Sequence, residues 1–520
     1  MREATLRFLR EMGVTTVFGN PGSTELPMFR GWPSDFRYVL GLNETCAVAM
    51  ADGFACVTGN AGVVNLHSSA GVGHGLGNIF TAYRNHSPLV IIAGQQARAL
   101  LPLDPFLGAE QPAEFPRPFV KWAVEPARAA DVPLAIARAY HVAMQAPRGP
   151  TLVSVPMDDW DAPAAPFEAR PRIAPPAPDA AAIAAALDAL LGAKKPVFIA
   201  GSEVDEAQAW DAMVALAERF GAPVWEAPRS HRASFPETHP LFAGFLGPRR
   251  DLVSKPLQGH DLVLVAGAPA FTYHADAVGA FLPPGAELIQ LTCDPHVAAR
   301  SPEGYAIVGD VGAALRALLI GAPPPRKLGA ALRKTADVKG REPIPVEFLM
   351  QTLQRVRPRD SLIVEEAPSS RPAMQAHLPI ERQGGFLTTA SGGLGYGLPA
   401  AVGASLADPT RRTIAVIGDG SALYVIQALW TAVQHALPLT IVIVNNQAYE
   451  ALMIFGVMLQ TPPVGVDLPG LDFCALARGQ GCEAVRVTQP EKLENALKTA
   501  LKSKGPMLVD VAVGPSGGGW

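Results

Sequence analysis

A chain of 520 residues is too long for one hydrophobic core and implies about three domains of ordinary size. Its 49% hydrophobic and 17% charged residues suit an α/β protein with much buried surface, and a net charge of −4 argues against a nucleic-acid or anionic-membrane partner. The apolar runs are strand-sized, Met1 to Thr5 lacks a signal-peptide core, and Cys46, Cys56, Cys293, Cys474 and Cys482 show no CxxC spacing, so a cytoplasmic protein with reduced thiols is expected.

Over residues 1–165, strand and helix patterns alternate: Thr16-Val17-Phe18, Tyr38-Val39-Leu40, a helix from Cys46 to Ala55, Val63 to Leu66, Leu89 to Ala93, and Thr151 to Pro156. This alternation predicts a doubly wound α/β domain with a parallel sheet. Glu44 falls between a strand and the helix, at the carboxyl edge where such sheets place ligands; read alone, it caps the helix. Ser23, in Pro21-Gly22-Ser23, reads alone as a turn residue, and His67, ending the strand Val63 to Leu66, as a structural histidine. Ala162 to Ala182, rich in Pro and Ala, reads as a linker.

A second α/β domain is expected over 183–320, with strands at Lys195 to Gly201, Asp261 to Val265 and Glu287 to Ile289, and with His274 in the loop after the second of these. Ala322-Pro323-Pro324-Pro325 begins another linker, whose basic residues (Arg326, Lys327, Arg333, Lys334, Lys339, Arg341) read as solvated charge.

The third domain, 346–514, holds Leu362-Ile363-Val364 and Met507 to Val511, and between them Gly392-Gly393-Leu394-Gly395, a Gly-rich turn before a helix near Leu398 that misses the dinucleotide-binding spacing. Ile414 to Ile417 then breaks at Gly418-Asp419-Gly420-Ser421, Val425 to Ala436 has helical periodicity, and Thr440 to Val444 ends in Asn445-Asn446. In such a βαβ unit Asp419 and Asn446 leave the sheet at one edge, offering hard oxygens to one cation. The N–H groups of Gly420 and Ser421, opening the helix, face an anion there. Together they describe a magnesium–diphosphate site, whereas either pair alone reads as turn punctuation. The tail Gly514-Pro515-Ser516-Gly517-Gly518 is not a nucleophile elbow, since no helix follows it.

Gly418-Asp419-Gly420 followed by Asn446 resembles the cofactor signature of the thiamine diphosphate-dependent enzymes. Three α/β domains in this order resemble the decarboxylase branch of that family, and most of all the benzoylformate decarboxylases, through Val17 to Ser23, Asn65 to Ser68, Ala93 to Gln96 and Gly267 to His274. The resemblance implies that Asp419, Asn446 and the Ala448 carbonyl hold Mg²⁺, and that Glu44 lies beside N1′ of the aminopyrimidine. It implies that Leu394 wedges under the cofactor and that the Gly392 carbonyl lies near the 4′-amino group. His67 and His274 would then move protons, and Ser23 would bind the substrate carboxylate.

The chain also departs from the pattern. Ala367, Pro368 and Arg371 stand where hydroxyl-bearing residues are expected, and Thr388 where an aromatic wall is, while Leu452 and Phe455 keep the character of the opposite wall. A phosphate contact missing at Pro368 falls to Ser369, and Arg371 either pairs with a second anionic group on the substrate or is structural.

The implied function is non-oxidative decarboxylation of an aromatic or bulky 2-keto acid with thiamine diphosphate and Mg²⁺, with carboligation as a side activity. The alternatives are an acetolactate synthase-like carboligase without flavin and a cofactor-binding scaffold without turnover. In this family Glu44 and Asp419 serve one site from two chains, which implies a homodimer at least, and a homotetramer.

Overall fold

The computed structural model describes residues 1–165, 167–170, 174–270 and 272–516; part of the first linker, residue 271 and the last glycines of the tail lie outside the described residues. Three six-stranded sheets follow one another along the chain, and every strand pairing within them is parallel. The first contains β1 (Thr16–Asn20), β2 (Arg37–Leu40), β3 (Gly62–Leu66), β4 (Leu89–Gln95), β5 (Trp122–Val124) and β6 (Thr151–Pro156), in the order 2-1-3-4-6-5. The second contains β7 (Pro196–Ala200), β8 (Val224–Glu226), β9 (Phe242–Phe245), β10 (Leu262–Ala266), β11 (Glu287–Thr292) and β12 (Tyr305–Val308), in the order 12-11-10-7-8-9. The third contains β13 (Leu362–Glu366), β14 (Phe386–Thr388), β15 (Thr413–Gly418), β16 (Leu439–Asn445), β17 (Glu483–Val487) and β18 (Met507–Ala512), in the order 14-13-15-16-18-17, which repeats the topology of the first. The central strands are buried along their whole length, because helices cover both faces of a parallel sheet.

Six helices position the site: α1 (Glu44–Thr58), α2 (Ser68–Arg84), α3 (Gly397–Ala407), α4 (Asp419–Ala422), α5 (Ala428–Gln434) and α6 (Glu450–Met458). The single helix expected over Val425 to Ala436 is shorter and is preceded by the separate turn α4. Between them, Tyr424 and Val425 donate to the carbonyls three residues back, Ser421 and Ala422, so the periodicity survives in a tightened coil.

The first and third units meet where α1 crosses α3. Both helices are rich in Ala and Gly, and a side chain at Gly53 would lie 2.0 Å from the Ala400 carbonyl oxygen, and one at Gly403 1.8 Å from that of Met50. Backbone-to-backbone contact is therefore possible only with glycine at both positions. Asn78 of α2 ties the seam by donating to the Thr45 carbonyl at 2.9 Å and the Gly395 carbonyl at 2.8 Å. Among the described residues no helix is long and apolar enough to cross a membrane.

Candidate active site

At the carboxyl edge of the first sheet, β1 and β3 are neighbours in register, with Asn20 opposite Leu66, so the loop after β1 and the residue after β3 must meet. There the His67 Nδ1 lies 2.9 Å from Glu25 Oε2 and 2.9 Å from Thr24 Oγ1. The Thr24 hydroxyl donates to Glu25 Oε1 at 2.5 Å, so its oxygen, like the carboxylate, is left to accept, and the Nδ1 atom carries a proton. Glu25, 1% exposed, is held in turn by the Gly22 N–H at 2.7 Å. Any side chain at Gly22 would collide with the His67 ring, 2.3 Å from Nδ1. Ser23 opens the 3-10 turn Ser23–Phe29 in the same loop and is exposed.

Glu44 is the first residue of α1, yet it does not cap it. The cap is Asn43, whose side chain accepts the Thr45 N–H at 2.8 Å. The Glu44 carboxylate is left buried, the residue 7% exposed, with the Asn20 amide at 3.4 Å and His74 Nδ1 at 3.2 Å.

At the carboxyl edge of the third sheet, β15 and β16 pair with Gly418 opposite Val444, which brings Asp419 beside the chain leaving β16. Asp419 Oδ2 accepts the Gln447 N–H at 2.6 Å, and Oδ1 accepts the Gly420 N–H at 2.8 Å. Burial pushes the Asp419 carboxyl up, and the surrounding backbone N–H groups oppose that shift. Asn446 Oδ1 accepts the Ala448 N–H at 3.2 Å, while its amide nitrogen donates to Glu450 at 2.7 Å. Gly420 and Ser421 lie within α4, and both are buried.

The Gly392 to Gly397 turn has positive φ at Gly392 (74°) and Gly395 (97°), a conformation that favours glycine, with Leu394 half-buried between them. Glu366, the last residue of β13, anchors the turn by accepting the N–H of Gly395 at 2.6 Å, of Tyr396 at 2.7 Å and of Gly397. Burial pushes the Glu366 carboxyl up to about 7 in spite of these donors.

Arg371, Thr388 and Glu365 form one cluster. Arg371 Nε donates to Glu365 Oε2 at 2.9 Å, its Nη2 contacts both neighbours, and the Thr388 hydroxyl donates to the same Oε2 at 2.9 Å. The charge of Arg371 is therefore matched within the protein, which favours the structural alternative over pairing with a second anionic group on the substrate. Pro368 and Ser369 lie in the single turn Pro368–Ser370 before it. His274, from the second unit, packs against Phe455 of α6 with ring centroids 4.6 Å apart, and Leu452, one turn earlier on α6, is 54% exposed.

Three thiamine pyrophosphate enzyme domains match in order: the N-terminal TPP binding domain at residues 1–113, the central domain at 183–318 and the C-terminal TPP binding domain at 369–511. A benzoylformate decarboxylase of Pseudomonas aeruginosa is 45% identical over 519 residues, covering 98% of both chains. The chain belongs to the thiamine diphosphate-dependent enzyme family. Within this family, the solved Rhodococcus jostii RHA1 4-hydroxybenzoylformate decarboxylase superimposes with a TM-score of 0.96 at 42% identity, covering 99% of both chains. An acetolactate synthase large subunit of Parasynechococcus marenigrum is more distant, 29% identical over 98% of this chain and 87% of its own.

The third edge fits the family's cofactor. It offers one carboxylate, one amide oxygen and backbone carbonyls, and among the described residues no group of three or more His, Cys, Asp or Glu is placed to hold a metal. Such a donor set suits Mg²⁺, which takes few protein oxygens and shares the rest with phosphate and water. Among the described residues, no hydrogen bond or ion pair joins Ser23, Glu44 or His67 to Asp419, Asn446 or Ala448. The candidate residues thus fall into two groups, one on the carboxyl edge of the first sheet and one on that of the third.

Sequence reasoning missed Glu25, Glu365 and Glu366. The last two had a legible signal: two acids closing an apolar strand, at the edge where α/β sheets place ligands. Glu25 had only its position two residues past Ser23.

Proposed function

We propose that this chain is a Mg²⁺- and thiamine diphosphate-dependent, non-oxidative decarboxylase of an aromatic 2-keto acid, with benzoylformate the first candidate. In this reading it works in the cytoplasm as a homodimer or a tetramer of two such dimers, each site built from the first edge of one chain and the third edge of its partner. The observation that carries the reading is Glu44: a buried carboxylate, freed from capping by Asn43, at the same sheet edge as the His67–Glu25 pair, in a chain 45% identical to a benzoylformate decarboxylase.

Bound thiamine diphosphate would supply a nucleophilic carbon and an electron sink for the pair released as CO₂ leaves. Asp419, Asn446 and the Ala448 carbonyl would hold Mg²⁺, and Ser421, Gly420 and Ser369 would face the diphosphate. Glu44 would hold a proton at the aminopyrimidine N1′, and Gly392 and Leu394 would set the bend of the cofactor. Ser23 would donate to the substrate carboxylate. His67 and His274 would carry protons to and from the reacting carbon and its oxygen. Leu452 and Phe455 would wall off water, with Pro368, Thr388 and Arg371 bounding the other side. If the acyl carbon meets a second aldehyde before a proton, the product is a 2-hydroxy ketone, so carboligation accompanies decarboxylation.

The test is product analysis on a panel of benzoylformate, phenylpyruvate, a branched-chain keto acid and pyruvate, with thiamine diphosphate and Mg²⁺ added. Benzaldehyde and CO₂ from benzoylformate are expected. Acetolactate from pyruvate alone would move the chain to the carboligases, and cofactor binding without any product would leave a scaffold.

A further inference from the structure

Arg229, in the loop after β8, touches one of the two histidines. Its backbone has a φ of 60°, and its Nη2 contacts Nδ1 of His274. We infer that Arg229 is a positioning residue that fixes His274 as the neutral imidazole with its proton on Nε2. The inference rests on the proposed role of His274 in proton transfer, and it adds which atom carries the proton and why.

A guanidinium has five N–H donors and no acceptor. A ring nitrogen hydrogen-bonded to it must present its lone pair, so Nδ1 is the bare nitrogen and Nε2 carries the hydrogen. Protonation of Nδ1 would break that bond and set an imidazolium against a guanidinium. The backbone N–H of His274 donates to the Pro248 carbonyl at 2.7 Å, which fixes the loop, and the Phe455 ring lies across the imidazole at 45°.

The charges around the pair act in one direction. Arg229 is the direct neighbour; behind it stand Arg371 and Glu365, which match each other, and from the adjacent loop Arg249 is paired with Asp251 at 2.6 Å. The facing side of α6 is apolar, presenting Ile454, Phe455, Val457 and Met458. Burial lowers the His274 pKa, and the Arg229 charge lowers it further.

His67 is set in the opposite sense. Its Nδ1–H is held by Glu25 and Thr24, so in its neutral form the Nε2 atom is a lone pair. One histidine thus offers an acceptor and the other a donor, each through Nε2, and Arg229 does for His274 what Glu25 does for His67.

The deciding experiment is ¹⁵N solid-state NMR of the full-length, histidine-labelled protein, with the His274 signals assigned by difference from His274→Gln. A bare Nδ1 and a protonated Nε2 at neutral pH are expected, and the Nδ1–H tautomer would overturn the inference. Arg229→Met should give mixed tautomers and raise the pH at which His274 titrates. Arg229→Gln, whose amide can either donate to Nδ1 or accept from it, should leave the tautomer unfixed, and Arg229→Lys, which can only donate, should keep both the tautomer and the lowered titration. Identical spectra for wild type and Arg229→Met would also overturn it. In turnover, Arg229→Met should lower kcat about tenfold with KM changed less than about twofold, and Arg229→Lys should recover most of the loss. Because the NMR readout needs no substrate, a chain that turned over no 2-keto acid would refute the proposed reaction while the tautomer still decided the role of Arg229.

Discussion

The first and third sheets have the same strand order, and their edges carry opposite chemistry. His67 follows β3 and Asp419 follows the equivalent strand β15; Glu44 opens the helix after β2, and Gly397 opens the helix after β14. At the first edge these positions hold titratable side chains with hydrogen-bonded partners, Glu44, His67 and Glu25. At the third they hold hard oxygens, backbone N–H groups and a glycine turn pinned by Glu366. Topology decides where a side chain leaves the sheet, and residue type decides what chemistry that place can offer: titratable groups at the first edge, hard oxygens and backbone N–H groups at the third.

That contrast predicts separable losses. Glu44→Gln should cut decarboxylation about 10³-fold and leave the affinity for thiamine diphosphate within about threefold, measured by CO₂ release beside titration calorimetry. Equal losses in both would erase the difference between the edges. Asp419→Ala should do the reverse in kind, weakening cofactor affinity about 100-fold, and chelation of Mg²⁺ in the wild type should reproduce the effect. The seam belongs to both edges, so breaking it should spare neither. Gly403→Ala drives a methyl group into the Met50 carbonyl and should cost about 3 kcal/mol in denaturant unfolding, with turnover and cofactor binding lost together.

The smallest effect lies away from both edges. Glu226 and Glu237, buried in the second unit, have carboxyls pushed up by burial to about 8. Their folded pKa exceeds the unfolded value, so they remain protonated in the native state, and the stability this gives is lost as pH rises through 8. The melting temperature should fall by about 2–4 °C between pH 6 and pH 9, and the slope should flatten in Glu237→Gln. A slope unchanged by that substitution would assign the effect elsewhere.

Long buried strands such as Leu89 to Ala93 and Thr440 to Val444 were legible because a continuous apolar run bounded by turns is hard to misread. The edge strands Trp122–Val124, Phe386–Thr388 and Glu483–Val487 were not: two of them are three residues long, and the third is largely half-exposed, so neither length nor alternation marks them. The same holds for the site. Asp419 and Asn446 sit beside distinctive local sequence, whereas the partners that set their neighbours' chemistry come from afar. Arg229 reaches His274 from another loop, Glu25 reaches His67 across two strands, and Glu366 reaches the turn before α3. Hydrogen-bond partners at such separations leave no periodic signal.

The central claim is that the first edge of one chain and the third edge of its partner make one site. It is tested by co-expressing Glu44→Gln and Asp419→Ala chains under two affinity tags and assaying benzoylformate decarboxylation by the mixture. Each variant alone should be inactive. In randomly paired dimers, half are mixed and each mixed dimer has one site with both wild-type residues, so about a quarter of wild-type activity should return. No recovery from a mixture shown by the tags to contain mixed dimers would mean that each chain builds its own site, and would contradict the account.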